Sequence, residues 1–194
     1  EILRRVLLRF LHQDIKRPDT AVKTALSIFD TEGPRLAASF FQPGFDDLRA
    51  EVKRSVKTAV LELFRMLQAG GFTIRSVERK YSLKVRTIGI DIEGRPDLVL
   101  GKSGAIIDFK RGGVNYRHGE LASGVGLQLA VYGHLIREKE AAAFPPVAYL
   151  MLKAGHLITV DPEAFPDAHV IEGPTPKETW NAFKNSFRQI WAEL

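Results

Sequence analysis

The chain has 194 residues, with 28 lysines and arginines against 23 aspartates and glutamates, and a formal net charge of +5. It is 45% hydrophobic and 26% charged, which supports a buried core and excludes intrinsic disorder. Cysteine is absent, which excludes disulfides, thiolate zinc sites and iron–sulfur clusters. No apolar run approaches the ~20 residues of a membrane span and no secretory signal opens the chain, so we expect a cytoplasmic location and no membrane partner. The modest basic excess suits an anionic partner.

Residues 1–70 are expected to be helical. Apolar side chains recur at helical spacing in residues 3–11, and Pro18 predicts that this first helix ends or is interrupted near residue 16. A second, shorter helix is expected over residues 20–29, followed by irregular chain. The clearest helix is predicted over residues 46–69, because one side of it is apolar, acidic residues open it and two glycines follow it.

Residues 72–160 are expected to hold the sheet. Apolar and polar residues alternate there in short runs, as they do in strands, and two of the intervening turns are glycine-containing. We predict two antiparallel hairpins among these strands, the first turning at a Gly-Lys-Ser-Gly sequence and the second at Ala154-Gly155. The expected strands lie at residues 77–85, 88–92, 98–100, 105–109, 147–152 and 157–160.

A glycine-rich loop is predicted between the two hairpins, over residues 112–126, and it leads into a helix from about Glu120 or Gly126 to Lys139. A last helix, in the segment 175–194, begins near Pro176 and carries aromatic residues on one side. The order of elements predicts a single α/β domain over residues 1–194. Because the sequence opens at Glu1 with a helix already under way, we expect a domain excised from a longer protein.

Asp108 and Lys110 are the first candidates for chemistry. They stand two apart on an expected strand, so both side chains leave the same face. Pairing within the first hairpin would bring Asp97 beside Asp108 and make a carboxylate pair with a lysine alongside. Two adjacent carboxylates need a positive counterpart to stay ionised together, and oxygen ligands without thiolates suit Mg²⁺ or Mn²⁺. Lys110 could then orient a water or stabilise charge on a phosphate.

The alternative for Asp108 and Lys110 is a surface salt bridge without function, which is the commoner explanation of an Asp-x-Lys triplet taken alone. The surrounding sequence favours the catalytic interpretation. Gly94-Arg-Pro-Asp97 precedes the hairpin, Ile-Ile-Asp108-Phe-Lys110-Arg-Gly forms its second strand, and Leu-Gln128-Leu-Ala-Val-Tyr132 follows on a helix. This arrangement, over residues 77–135, resembles the nuclease domain of the RecB/AddB family in the PD-(D/E)xK nuclease superfamily. Phe109 and Arg111 replace the family's usual tyrosine and threonine.

The resemblance implies an α/β fold with a restriction-endonuclease-like core, in which helices flank a central mixed β-sheet and extra helices precede it. It implies that Asp97 and Asp108 bind a divalent metal together with the backbone carbonyl of Phe109, and that Lys110 is the catalytic lysine. Gln128 and Tyr132, on one helical face, would lie near the active site and the DNA backbone, with Arg111 as a further DNA contact. Without the family, Tyr132 could equally be a core residue and Gln128 its solvated neighbour.

Family members usually carry a histidine on an upstream helix as a further metal ligand, and His12 is the candidate here. A histidine on an apolar helix can also simply pack, and the glycine that usually precedes the family's histidine is missing. Both roles therefore stay open for His12. Glu78, on the first expected strand, resembles an acidic residue often seen in the family and is a weaker candidate ligand.

The leading functional hypothesis is a Mg²⁺- or Mn²⁺-dependent DNA nuclease, with exonuclease action favoured over endonuclease action. The resemblance further implies a nuclease module of a recombination or repair helicase–nuclease, whose helicase would lie in another domain or subunit. A second hypothesis is a non-catalytic DNA-binding or assembly domain of a repair complex, against which the intact Asp97, Asp108 and Lys110 argue. A third is a stand-alone restriction-type endonuclease.

Overall fold

The computed structural model describes residues 1–12, 17–101, 103–140 and 143–193. Within those residues the chain forms six α-helices, one short 3-10 helix and eight strands. The helices are α1 (Ile2–Arg9), α2 (Pro18–Leu36), α3 (Asp46–Ala69), α4 (Val114–Ser123), α5 (Leu127–Glu140) and α6 (Pro176–Ala192), with the 3-10 helix at Ala38–Phe41. The strands are β1 (Ile74–Val77), β2 (Tyr81–Val85), β3 (Ile90–Gly94), β4 (Leu98–Leu100), β5 (Ile106–Lys110), β6 (Val147–Met151), β7 (His156–Thr159) and β8 (His169–Val170).

Six strands form one mixed sheet in the order β1-β4-β5-β6-β7-β8, and β2 and β3 pair with each other in a separate two-stranded ribbon. The pairs β4–β5 and β6–β7 are the two predicted antiparallel hairpins. They meet at β5 and β6, which run parallel. A parallel pair needs a long crossover connection, and α4 and α5 supply it. The carboxyl ends of β5 and β6 therefore meet at one edge of the sheet.

Alternation along the central strands sends side chains to two separate cores. On one face, Ile107 of β5 and Leu150 of β6 pack with the buried side of α1, α2 and α3. On the other face, Ile106 and Tyr149 pack with α4 and α5. Both faces of the sheet are thus covered by helices, which is the α/β restriction-endonuclease-like architecture that the sequence predicts. Within the described ranges no helix has the length and apolar character to cross a membrane.

The ribbon of β2 and β3 packs against α5 and α6 through a third, smaller core. Its centre is Trp180 of α6, which is 1% exposed and stacks on His134 of α5 at 4.2 Å between ring centroids. The helix starts with a capping box, in which the Thr175 hydroxyl accepts from the Glu178 amide and the Glu178 carboxylate accepts from the Thr175 amide. This arrangement fixes the start of α6 at Pro176, as predicted.

Three elements differ from the sequence prediction. Helix α2 continues to Leu36 through Gly33 and Pro34, where irregular chain is predicted. Pro34 stands two residues before the end of the helix, and the ring of Phe41 packs against Gly33. The predicted loop over residues 112–126 contains helix α4. Strand β8 has no counterpart in the prediction, since two exposed residues carry no alternation.

The predicted strand over residues 77–85 is also wrong, because the structure divides it. Glu78 has a φ of +48°, in the left-handed region, and this turns the chain out of the main sheet. Val77 ends β1, which pairs with β4, whereas Tyr81 begins β2, which pairs with β3. The apparent alternation across residue 78 therefore joins strands of two different sheets.

Candidate active site

The first hairpin brings Asp97 and Asp108 together, as predicted from its pairing. Leu98 of β4 pairs with Ile107 of β5, so the next residues outward are Asp97 and Asp108. The Asp97 carboxylate accepts a hydrogen bond of 2.6 Å from the backbone amide of Phe109. This bond holds the Asp97 side chain against the end of β5, beside the other carboxylate.

Lys110 shares the face of β5 with Asp108, and the two side chains form an ion pair. The Lys110 Nζ lies 2.6 Å from Asp108 Oδ2, and both side chains are largely buried, with 16% and 4% of their surface exposed. This burial is inconsistent with a solvated surface salt bridge. The Asp-x-Lys triplet instead lies under the helices that cover this face of the sheet.

Two side chains of α5 complete the arrangement. The Gln128 Oε1 accepts from Lys110 Nζ at 2.7 Å, and its Nε2 lies 3.2 Å from Asp108 Oδ1 and 3.0 Å from the Tyr132 hydroxyl. Gln128 and Tyr132 are one helical turn apart, which lets both reach the same site. The structure therefore brings together five of the residues that the sequence singled out. The Gln128 side-chain amide contacts three of the other four.

Burial dominates the electrostatics of the two carboxyls. Burial first and the nearby charge of Asp108 next raise the pKa of Asp97 to about 6, against the hydrogen bond from Phe109. Burial also raises the pKa of Asp108, while the hydrogen bond and charge of Lys110 and the charge of Arg117 oppose that rise. Each carboxyl is thus costly to ionise in this place, and additional positive charge would favour the ionised pair.

The structure adds three residues that the sequence analysis missed: Arg117, Glu120 and Tyr149. Tyr149 of β6 pairs with Asp108 in register and lies beneath Lys110, whose Nζ is 5.3 Å from the centre of its ring. Arg117 of α4 approaches the same ring, with Cζ 5.5 Å from its centre, and pairs with Glu120 at 2.5 Å. No signal in the sequence could find Tyr149, because it stands in an uninterrupted apolar strand.

His12 is not on a helix, which corrects the prediction. Helix α1 ends at Arg9, and His12 lies beyond it with an exposed side chain and a φ of +58°. Its backbone amide donates to the carbonyl of Ile74 at 2.8 Å, so the chain there follows the edge strand β1. The predicted interruption near residue 16 falls on residues 13–16, which lie outside the described part of the chain.

Glu78 lies close to Asp97, and Arg111 lies away from it. The Glu78 amide donates to the Asp97 carbonyl at 3.1 Å, and the Glu78 carboxylate forms an ion pair with Arg4 at 3.1 Å. The charge of Glu78 contributes to the raised pKa of Asp97, after burial and Asp108. Arg111 is exposed and borders a groove between α1 and α3, on the opposite side of the sheet from Lys110.

The donor set fits a hard divalent cation. Two carboxylates lie side by side, and the buried Asp108 Oδ2 is paired with Lys110 Nζ at 2.6 Å. In the same part of the chain, no group of three or more histidine and carboxylate side chains is arranged to hold a metal ion. A cation held here would therefore rely on two carboxylates, with backbone, water or substrate oxygens as its remaining ligands.

Comparison with protein families matches residues 3–194 to the PD-(D/E)XK nuclease superfamily. Because the match covers almost the whole chain, the chain belongs to this superfamily. Its members are generally nucleases, they act on nucleic acid and they typically use divalent metals. Comparison with curated proteins gives no match.

Proposed function

We propose that this chain is a Mg²⁺- or Mn²⁺-dependent deoxyribonuclease, which hydrolyses phosphodiester bonds by attack of water. The observation that carries the proposal is the side-by-side placement of Asp97 and Asp108 with Lys110 against Asp108. At one edge of the sheet, two carboxyl groups that are costly to ionise lie beside a largely buried lysine side chain. Folding stability alone does not favour this arrangement. In a chain of the PD-(D/E)XK nuclease superfamily, the same arrangement supports catalysis.

In this proposal Asp97, Asp108 and the backbone carbonyl of Phe109 hold the metal. When bound, the metal would polarise the phosphate and lower the pKa of a water molecule. His12 stays a proposed further ligand, supplied from the turn after α1, where its side chain is exposed. Glu78 is the weaker candidate, because its carboxylate is already paired with Arg4.

Lys110 supplies fixed positive charge at the reacting phosphate. The Gln128 amide and the Asp108 carboxylate hold its Nζ from two sides, so little reorganisation is needed when negative charge develops in the transition state. Tyr132 orients Gln128 in turn through its hydroxyl. Gln128 and Tyr132 are also proposed to contact the DNA backbone beside the site, and Arg111 a more distant part of the DNA.

We further propose that the chain is a single domain of the RecB/AddB kind and acts as the nuclease module of a recombination or repair helicase–nuclease. The supporting pattern is the Gly-Arg-Pro-Asp97 lead-in and the Gln128 and Tyr132 pair on α5. A helicase domain or subunit outside this chain would be the partner, exonuclease action is favoured over endonuclease action, and the setting would be cytoplasmic.

Replacing Asp108 tests the metal assignment. Asp108→Ala should abolish Mg²⁺-dependent DNA cleavage, because it removes a ligand, and the metal-free melting temperature should hold or rise, because a costly buried carboxyl is lost. Cleavage of a labelled oligonucleotide in Mg²⁺ and a thermal melt in chelator are the measurements. Asp91→Ala is the matched control, since Asp91 is an exposed carboxylate on β3. Cleavage at the wild-type rate by Asp108→Ala would refute the assignment.

Replacing Lys110 separates catalysis from binding. Lys110→Ala should lower kcat by about 100-fold or more while DNA and metal still bind, because its charge is needed most in the transition state. Single-turnover rates at saturating DNA and a separate binding titration are the measurements, with Lys84→Ala on β2 as the exposed control. A variant that cuts normally at saturating DNA but binds it weakly would make Lys110 a phosphate clamp instead.

A further inference from the structure

Arg117 is held rigidly beside the site by three neighbours. Its guanidinium lies 5.0 Å from the centre of the Tyr116 ring and 5.5 Å from that of Tyr149, and its Nη1 donates to Glu120 at 2.5 Å. Arginine side chains lose considerable rotamer freedom when they are fixed in this way. The aromatic rings and the carboxylate have therefore already ordered this cation in the free protein.

The position of Arg117 relates it to the reacting groups. Tyr149, on which it rests, pairs with Asp108 across β5 and β6, and adjacent strands lie about 4.8 Å apart. Lys110 rests on the same ring. Arg117 and Lys110 thus contact one aromatic ring and are paired with Glu120 and Asp108, so a further anion placed beside them would meet two cations.

The guanidinium retains donors for such an anion. Glu120 takes a donor of Nη1, and 25% of the side-chain surface stays exposed, whereas the buried Nε is out of reach of a ligand. A guanidinium presents five N–H donors in a planar fork that matches the oxygens of a phosphate. With Mg²⁺ bound, the two cations and the metal would exceed the charge of Asp97, Asp108 and Glu120 by one, which one phosphodiester would neutralise.

We propose that Arg117 binds a non-bridging oxygen of one phosphodiester of the DNA strand, at or directly beside the linkage that is cut. Glu120, Tyr116 and Tyr149 position its guanidinium for that contact. The inference rests on the proposed nuclease function and adds to it a phosphate-binding residue outside the Asp97, Asp108 and Lys110 set.

A scan of neutral linkages tests the contact. Lys110→Ala protein, which should bind DNA without cutting it, is titrated with oligonucleotides of about 20 nucleotides, single-stranded and duplex, each with one methylphosphonate linkage at a different position. When the linkage that Arg117 contacts is the neutral one, the protein should bind that oligonucleotide roughly tenfold or more weakly, because a hydrogen bond to a charged group is lost. Adding Arg117→Met should abolish that loss at one linkage and lower the salt slope of binding by about one.

Two further variants separate a contact from a structural role. Arg117→Lys keeps the charge and should restore part of the sensitivity at the same linkage, and Arg137→Met, on the exposed side of α5, should leave the whole profile unchanged. An unchanged methylphosphonate profile and salt slope in Arg117→Met would overturn the inference. Uniform weakening at every linkage together with a lowered melting temperature would also overturn it, because Arg117 would then only support the fold.

The proposed function fails in a different way. If wild-type protein cuts neither oligonucleotide in Mg²⁺ or Mn²⁺ and Lys110→Ala protein binds neither, both the nuclease proposal and the inference on Arg117 are refuted. If wild-type protein cuts DNA and only the linkage scan is insensitive to Arg117→Met, the nuclease proposal stands and the inference on Arg117 alone is refuted.

Discussion

Asp97 shows how a buried carboxyl near a like charge makes the stability of this protein depend on pH. Its pKa in the fold is about 6, raised mainly by burial and also by Asp108, against an ordinary value of about 4. The fold therefore favours the protonated form. Its contribution to the free energy of unfolding is fully present below about pH 4 and is lost as pH rises to about 6 and beyond.

Asp97→Asn should make the metal-free protein more stable than wild type at pH 7.5, by on the order of 1 kcal/mol after solvent screening is allowed for. The gain should shrink as the pH falls and disappear at about pH 3, where wild-type Asp97 is protonated in both the folded and the unfolded state. Urea unfolding in chelator across this pH range measures the difference. Asp91→Asn, which replaces an exposed carboxylate on β3, serves as the control for the stability difference. A destabilised Asp97→Asn at pH 7.5 would show that Lys110 and Phe109 outweigh burial.

The sequence predicts site residues whose positions follow from spacing within one strand or helix, and it does not predict those that tertiary packing brings to the site. Asp108 and Lys110 share a face because strand alternation is a local property, and Gln128 and Tyr132 share one because helical spacing is also local. Arg117 reaches the site only because α4 crosses over the sheet, which no spacing encodes. The apolar helical period of residues 3–11 predicts that His12 lies on a helix. In the structure the helix ends at Arg9, and the chain then runs beside β1.

At the scale of elements, helix α6 combines a strongly buried end with an exposed one. Trp180 lies in the third core at 1% exposure, whereas Trp191 is 69% exposed and stacks on Phe187, with 5.8 Å between ring centroids. The same residue type in one helix therefore faces two environments. The contribution of α6 to the free energy of unfolding should therefore come mainly from its first turns.

Trp180→Ala should lower the free energy of unfolding by about 3–5 kcal/mol, because it leaves a large cavity beside His134 and the ribbon. Trp191→Ala is the matched control and should change it by no more than about 0.5 kcal/mol. Chemical denaturation followed by far-UV circular dichroism gives both values. Equal effects of the two substitutions would contradict the burial of Trp180 as the reason.

Element prediction succeeded where one pattern extends over several turns and failed where glycine interrupts it. Helix α3 has the predicted bounds because its apolar stripe, its acidic first turn and Gly70 all agree. Helix α4 was predicted as a loop because glycines flank and interrupt it; in the structure Gly113 and Gly124 cap its two ends in the left-handed region. Those glycines mark where the helix begins and ends.

At the scale of the whole molecule, the two large cores share the central strands. Neighbouring residues of β5, such as Ile106 and Ile107, belong to opposite cores, so neither core is complete without the same strand. This sharing supports the proposed single domain more directly than chain length does. The separation of β2 from β1 could not be predicted, because the period of two continues across Glu78 while the pairing partner changes.

A single cooperative unfolding transition is therefore expected for residues 1–194. Urea curves from far-UV circular dichroism and from tryptophan fluorescence should coincide, because the helices of 1–70 cannot stay folded once the sheet is lost. In a Trp191→Phe background, the fluorescence reports Trp180 alone and should give the same midpoint. Two separated transitions would show that residues 1–70 fold independently and would refute the single domain.

The ribbon of β2 and β3 leaves and rejoins the main sheet at one point. The Glu78 amide donates to the Asp97 carbonyl at 3.1 Å, and the residues before and after, in β1 and β4, pair directly with each other. Residues 79–96 therefore form an insertion whose two ends are joined by this hydrogen bond. Chain length can change at the outer turn, around Gly89, without shifting the register at Asp97. Among relatives, this is where insertions and deletions should accumulate, while the sheet edge that carries Asp97 and Asp108 keeps its spacing.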